Sequence, residues 1–298
     1  MVDFTCGLIA LQTYVIRGEG GDAYLLAGGD GENEAGAIMI DSGMSSLDIR
    51  DFAERACGQQ VRSVINTHSH FDHTAGNGFF DIIYGTEGIA RGAKVTMGLD
   101  PKNYPLDYSF TIVKDGDVID VCDRPLEIIE LDCHSPGNIA ILDVSHRALF
   151  PGDELDAGQV LLLPGYAERP NQFHSKPAAT VETYLRAVDK LISMRNRFDR
   201  IYPAHNGAPM APDWLDRFRE LALRILNGYE GVEDCTGPGY NAGMNHFPAK
   251  NARYRRAEWN DASLVYCADL INDADYAKGQ VEPATELHRI CARGQFYL

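Results

Sequence analysis

Three imidazoles and a carboxylate fall within the six residues from His68 to His73, in the stretch Thr67-His68-Ser69-His70-Phe71-Asp72-His73. The stretch follows an apolar run, Val61-Arg62-Ser63-Val64-Ile65, which reads as a strand entering a core. That order is a strong constraint. A ligand-rich loop at the C-terminal end of a buried strand belongs to a layered α/β fold, where sites are built at that edge of the sheet. Imidazole nitrogen and carboxylate oxygen are the donors that zinc-like divalent cations prefer, so the cluster predicts a metal.

The flanking sequence alternates strands and turns. Leu8 to Ile16, Ala23 to Ala27 and Ala37 to Ile40 read as strands, parted by Gly18-Glu19-Gly20-Gly21-Asp22 and Gly28-Gly29-Asp30-Gly31. Ser46 is placed to cap a helix running through Ala56, and a short helix is expected from Thr74. Ile82 to Thr86 reads as a further buried strand. Phe110 to Val113, Val118 to Val121, Leu126 to Leu131, Ile139 to Val144 and Ala148 to Phe150 form a second strand-rich half. Val181, Tyr184, Leu185, Val188 and Leu191 recur at helical spacing, and a second helix is expected over 212–226. The runs on either side of Asn260-Asp261 predict a hairpin. The expected organisation is a catalytic domain over 1–212 and a C-terminal extension over 213–298 that packs on it.

Composition narrows the partners. A net charge of −16 argues against nucleic acid, whose phosphates call for a basic surface. No apolar run reaches membrane-spanning length and the first residues carry no basic segment, so a cytoplasmic protein is expected. Seven cysteines without CxxC spacing fit free thiols in a reducing compartment, and Cys133 reads as a small buried residue.

Three further positions extend the donor set: His134 in His134-Ser135-Pro136-Gly137-Asn138, Asp153 in Pro151-Gly152-Asp153-Glu154, and His205 in Pro203-Ala204-His205-Asn206-Gly207. Each follows a strand and sits among turn residues, so separate strands of one sheet can bring them to a common edge. With these residues the chain resembles the metallo-β-lactamase superfamily. Its HxHxDH signature stands as His68, His70, Asp72 and His73, and its downstream His, Asp and His match His134, Asp153 and His205 in order.

The resemblance, over about residues 8 to 212, implies a four-layer αββα sandwich of two mixed β-sheets flanked by helices. It implies two divalent ions, zinc first, with manganese or iron as alternatives. His68, His70 and His134 would hold one, Asp72, His73 and His205 the other, and Asp153 would bridge them. A shared hydroxide would be the nucleophile, and Asp72 would orient its metal and shuttle a proton. Asp41, also matched, would tie the loop by hydrogen bonds rather than bind metal. The bridging carboxylate looks more like glyoxalase II, lactonases and phosphodiesterases than the commonest lactamases, which carry Cys at the position of Asp153. Asn138 stands where many members have a second His, which leaves the metal site intact but can alter the contacts around it.

The expected function is hydrolysis of a small ester-like bond: ester, thioester or lactone. A mononuclear iron oxidoreductase of a thiol-derived substrate and a phosphodiesterase are the alternatives, and metal stoichiometry separates the first. The partner is a small molecule, and a homo-oligomer is compatible with the acidic balance. Tyr166 and His174, on the long segment from Leu161 to Lys176, are candidates for substrate contact, with an ordinary surface loop as the competing reading. Val160 to Leu163 reads either as an acyl channel or as core. His146 reads as a turn residue.

Overall fold

The computed structural model describes residues 3–29, 36–93, 102–121, 123–162, 179–207, 209–232 and 253–276. The chain divides into two compact units. One comprises residues 1–130 with 137–152, and the other 131–136 with 153–298.

In the first unit, β1 (Thr5–Ala10), β2 (Thr13–Arg17), β3 (Ala23–Ala27) and β4 (Gly36–Ile40) pair antiparallel in sequence order. Helix α1 (Ile49–Cys57) leads to β5 (Gln60–Ile65), which pairs parallel to β4. After α2 (Phe71–Thr74) come β6 (Ile82–Gly85), α3 (Glu87–Gly92) and β7 (Phe110–Ile112). β6 and β7 extend the sheet in parallel, so it is mixed and seven-stranded. β8 (Val118–Asp120), β9 (Pro125–Glu130), β10 (Ile139–Asp143) and β11 (Ala148–Phe150) pair antiparallel in a second sheet.

β3 and β4 are buried on both faces, which explains their unbroken apolar runs. Ala23, Leu25 and Ala27 share one core with Met39, Val64 and the inner face of α1, Ile49 and Ala53. The opposite face meets the second sheet, where Tyr24 lies 5.0 Å from Phe150 between ring centroids. The buried guanidinium of Arg124 links the sheets. It donates to the Gln12 and Ala27 carbonyls at 2.7 and 2.9 Å, to Thr13 Oγ1 at 2.6 Å and to Asp143 Oδ2 at 2.7 Å.

In the second unit, β12 (Val160–Leu162) pairs parallel to β15 (Ala262–Cys267), which pairs antiparallel with β14 (Tyr254–Trp259). Helix α4 (Val181–Ser193), the short β13 (Arg200–Ile201), helix α5 (Trp214–Leu226) and α6 (Asp273–Tyr276) complete it. Packing joins α4 to α5 across residue 212: Tyr184 lies 6.1 Å from Phe218 between ring centroids, edge to face. Val160 and Leu162 are core residues of this unit.

Several expected boundaries shift. Leu8 to Ile16 is two strands, because Gln12 turns the chain with φ 49° inside an apolar run that hides the turn. Asp48, not Ser46, caps α1, accepting from the Asp51 amide at 3.0 Å. The helix after the histidine cluster starts at Phe71 rather than Thr74, so Asp72 and His73 ride on it. The strand at Phe110 joins the first sheet instead of the second half, because its partner is β6. The hairpin stands as expected, with Asn260 and Asp261 both at positive φ, 47° and 68°.

Candidate metal centre

Each unit carries part of the donor set, built by its own elements. In the first, β5 ends at Ile65 and the loop Asn66–His70 follows. His68 and His73 are buried and His70 half-buried. Their rings gather: His68 lies 4.6 Å from His70 and 4.1 Å from His73 between centroids. Asp72 Oδ2 is 3.5 Å from His73 Nε2.

A buried hydrogen-bond chain sets which ring nitrogens carry protons. Asp41 takes the Thr67 amide on Oδ1 at 2.8 Å and the Thr67 hydroxyl on Oδ2 at 2.7 Å. The same Oδ2 lies 2.9 Å from His73 Nδ1, so that nitrogen is the donor and Nε2 keeps its lone pair. Thr67 spends its proton on Asp41, so its oxygen accepts from His68 Nδ1 at 3.0 Å, and His68 Nε2 likewise keeps a lone pair. Asp41, His68 and His73 could by proximity hold an ion themselves. The carboxylate's two bonds to Thr67 tie the loop, as expected of it, and its contact with His73 Nδ1 orients that imidazole.

The His73 backbone is fixed too. Its carbonyl accepts from the Ser42 amide at 2.8 Å and from Asn66 Nδ2 at 3.1 Å. The turn before β3 is tight against this helix. Gly20 has φ +89°, and a Cβ there would lie 2.7 Å from the Asp72 carbonyl oxygen.

In the second unit, Asp153 turns one oxygen to each of two imidazoles. Oδ2 is 3.6 Å from His134 Nε2 and Oδ1 is 3.3 Å from His205 Nε2. His134 Nδ1 donates to the Leu161 carbonyl at 3.0 Å, which again leaves Nε2 with the lone pair. Glu154, fully buried, accepts from the His134 amide at 3.1 Å. Asp156 takes Asn206 Nδ2 at 2.8 Å. Burial, and then the neighbouring Glu154 charge, push the Cys133 thiol well above its usual value, so it stays protonated and inert.

These donors fit a divalent cation. Three imidazoles are held in the tautomer that presents Nε2, and the carboxylates of Asp72 and Asp153 stand beside imidazole nitrogens. Glu154 and Asp156 had no sequence signal beyond two acids flanking Leu155, which reads as an ordinary turn. Tyr166 and His174 lie outside the described residues. His146 sits in the β10–β11 turn, its amide bonded to Asp143 Oδ1 at 3.0 Å.

Mixed sheets whose strand-end loops gather imidazole and carboxylate donors define the class: an α/β protein with a metal-type donor set. Residues 16–205 match the sequence profile of the Metallo-beta-lactamase superfamily. The chain belongs to that superfamily.

Among curated proteins, it is 25% identical over 202 residues to the acyl-coenzyme A thioesterase MBLAC2 of Homo sapiens, covering 56% of this chain and 68% of that one. It is 26% identical over 197 residues to the hydroxyacylglutathione hydrolase of Aliivibrio salmonicida, covering 65% and 70%. Among solved structures, a metallo-beta-lactamase from Pontibacter korlensis superposes with TM-score 0.54 at 14% identity, covering 74% of this chain and 99% of that one. The sec-alkylsulfatase Pisa1 from Pseudomonas sp. gives TM-score 0.59 at 14% identity, and the match covers 75% of this chain but 42% of the sulfatase. The fold is therefore the metallo-β-lactamase fold, and the chain is a hydrolase of that fold. No described helix is long and apolar enough to cross a membrane.

Proposed function

We propose that the protein is a dinuclear metallohydrolase that cleaves a small acyl ester, most simply a thioester. The observation that carries this reading is the Asp153 carboxylate, which faces His134 with one oxygen and His205 with the other. A carboxylate so placed is suited to be shared by two cations. The ligand assignment follows the superfamily pattern: His68, His70 and His134 for one ion, Asp72, His73 and His205 for the second, and Asp153 common to both. Residues 1–212 form the catalytic part in this reading.

When bound, such ions, zinc first among them, supply an acidified water as nucleophile and an electrophile for the substrate carbonyl. The chain's own residues do the rest. Asp41 and Thr67 hold the imidazoles of His73 and His68, and the Leu161 carbonyl holds that of His134. Asp72, on the first turn of α2 and partly exposed, would orient its ion and shuttle a proton. No serine or cysteine nucleophile is required, which agrees with the buried, protonated Cys133.

The thioester preference rests on the two curated relatives, one named for acyl-coenzyme A and the other for hydroxyacylglutathione. The test is a panel of acyl thioesters of coenzyme A and glutathione, an aryl ester, a lactone and an aryl phosphodiester, offered to metal-loaded protein. The acyl substrates should turn over with the highest kcat/KM. Cleavage of the phosphodiester alone, or of nothing, would overturn the proposal.

A further inference from the structure

One short stretch of the second unit touches both of its histidine loops. Glu154 follows Asp153 directly and Asp156 lies two residues beyond. Glu154 Oε2 accepts from the backbone amide of His134 at 3.1 Å. Asp156 Oδ1 accepts from Asn206 Nδ2 at 2.8 Å and from the Gly158 amide at 2.6 Å, and Oδ2 is 3.1 Å from the same Nδ2. Asn206 is the residue after His205. It sits at φ +54°, a left-handed turn conformation that asparagine tolerates. Glu154 is 0% exposed and Asp156 5%. Two buried carboxylates beside the carboxylate of Asp153 are unfavourable as packing, and an apolar residue would fill the space at lower cost. The bonds that leave the stretch run to partners 20 and 50 positions away, each on or next to a candidate ligand.

We propose that Glu154 and Asp156 are positioning residues, each clamping one histidine loop so that the Asp153 carboxylate stands at the right reach from both imidazoles. Glu154 fixes the His134 side and Asp156 the His205 side. The two clamps are separable, because each bonds to a different loop. The inference rests on the dinuclear reading above. It predicts something that reading does not: damage to one clamp weakens one cation site and spares the other.

The experiment is cobalt(II) and zinc(II) titration of the metal-free full chain against a chromophoric chelator, with the cobalt d–d spectrum as a second readout. The variants are Glu154→Met, Glu154→Gln, Asp156→Ala and Asp156→Asn, and thermal unfolding of each metal-free protein controls for folding. Glu154→Met should weaken one site about 10–100-fold, as loss of a partner behind a ligand does, and Asp156→Ala should weaken the other by a similar factor. Each should change a different part of the cobalt spectrum. Gln and Asn keep an acceptor oxygen and should restore wild-type affinity.

Wild-type protein that binds no cation defeats the dinuclear reading itself. Wild-type protein that binds two, with folded Glu154→Met and Asp156→Ala binding as tightly, defeats the clamps alone, as does equal weakening of both sites by each variant. If Glu154→Met does not fold, amide hydrogen exchange on the metal-free wild type decides. The His134 and Gly158 amides should be protected, and exchange at the rate of exposed amides overturns the proposal.

Discussion

Asp41→Asn is the substitution in which the buried hydrogen-bond chain makes the sharpest demand. Asp41 has φ +60°, a conformation asparagine tolerates, so the backbone survives the change. The amide can keep the Thr67 backbone bond through its oxygen. Its nitrogen then occupies the place of Oδ2, which now accepts from the Thr67 hydroxyl at 2.7 Å and faces His73 Nδ1 at 2.9 Å. Both contacts become donor against donor. His73 can relieve the conflict by moving its proton to Nε2, and Thr67 by turning its hydroxyl toward His68 Nδ1, which flips that ring's tautomer as well. Either way, a nitrogen that presented a lone pair carries a proton.

Leaving a buried donor unsatisfied costs about 1–3 kcal/mol. At about 1.4 kcal/mol per factor of ten, that is a loss of roughly 10–100-fold in cation affinity. The assay is chelator competition with zinc on metal-free wild type and variant, with unfolding transitions recorded alongside. Wild-type affinity in a folded Asp41→Asn protein would refute the tautomer argument, because the conflict has no other outlet among the bonded groups.

Other substitutions probe separate parts of the structure. Asp153→Ala should lower both metal content and kcat/KM while the chain still unfolds cooperatively, and His146→Ala in the β10–β11 turn should change neither. Arg124→Met strands the fully buried Asp143 carboxylate and should cost about 3–5 kcal/mol in urea unfolding, with part regained on adding Asp143→Leu. Gly20→Val should reduce metal binding, because its Cβ would strike the Asp72 carbonyl. Gly58→Ala, where nothing lies within 4 Å, should cost only about 1 kcal/mol of stability for its φ of +72°.

The residues that write chemistry into local order were readable. The apolar run before Thr67 and the turn pair Asn260-Asp261 each carry their signal within a few positions, and the structure places the expected strand and hairpin there. What failed was non-local or masked by hydrophobicity. The turn at Gln12 is hidden because both flanking strands are apolar, so periodicity runs through it. β7 reads with the second strand-rich half because its partner, β6, is set by pairing across the intervening α3 and loop. Glu154 and Asp156 drew no expectation, because a sequence does not show that a carboxylate is buried or that its donors come from distant loops. Asp41 lies between these cases. The resemblance gave it a bonding role, and the structure supplied the partners, Thr67 and His73.

The central claim is that this chain holds two cations. Elemental analysis of protein purified without chelator or added metal tests it most directly. The account predicts about two equivalents of zinc, manganese or iron per chain, falling on Asp153→Ala. A single iron per chain, or none of these metals after reconstitution, would contradict it.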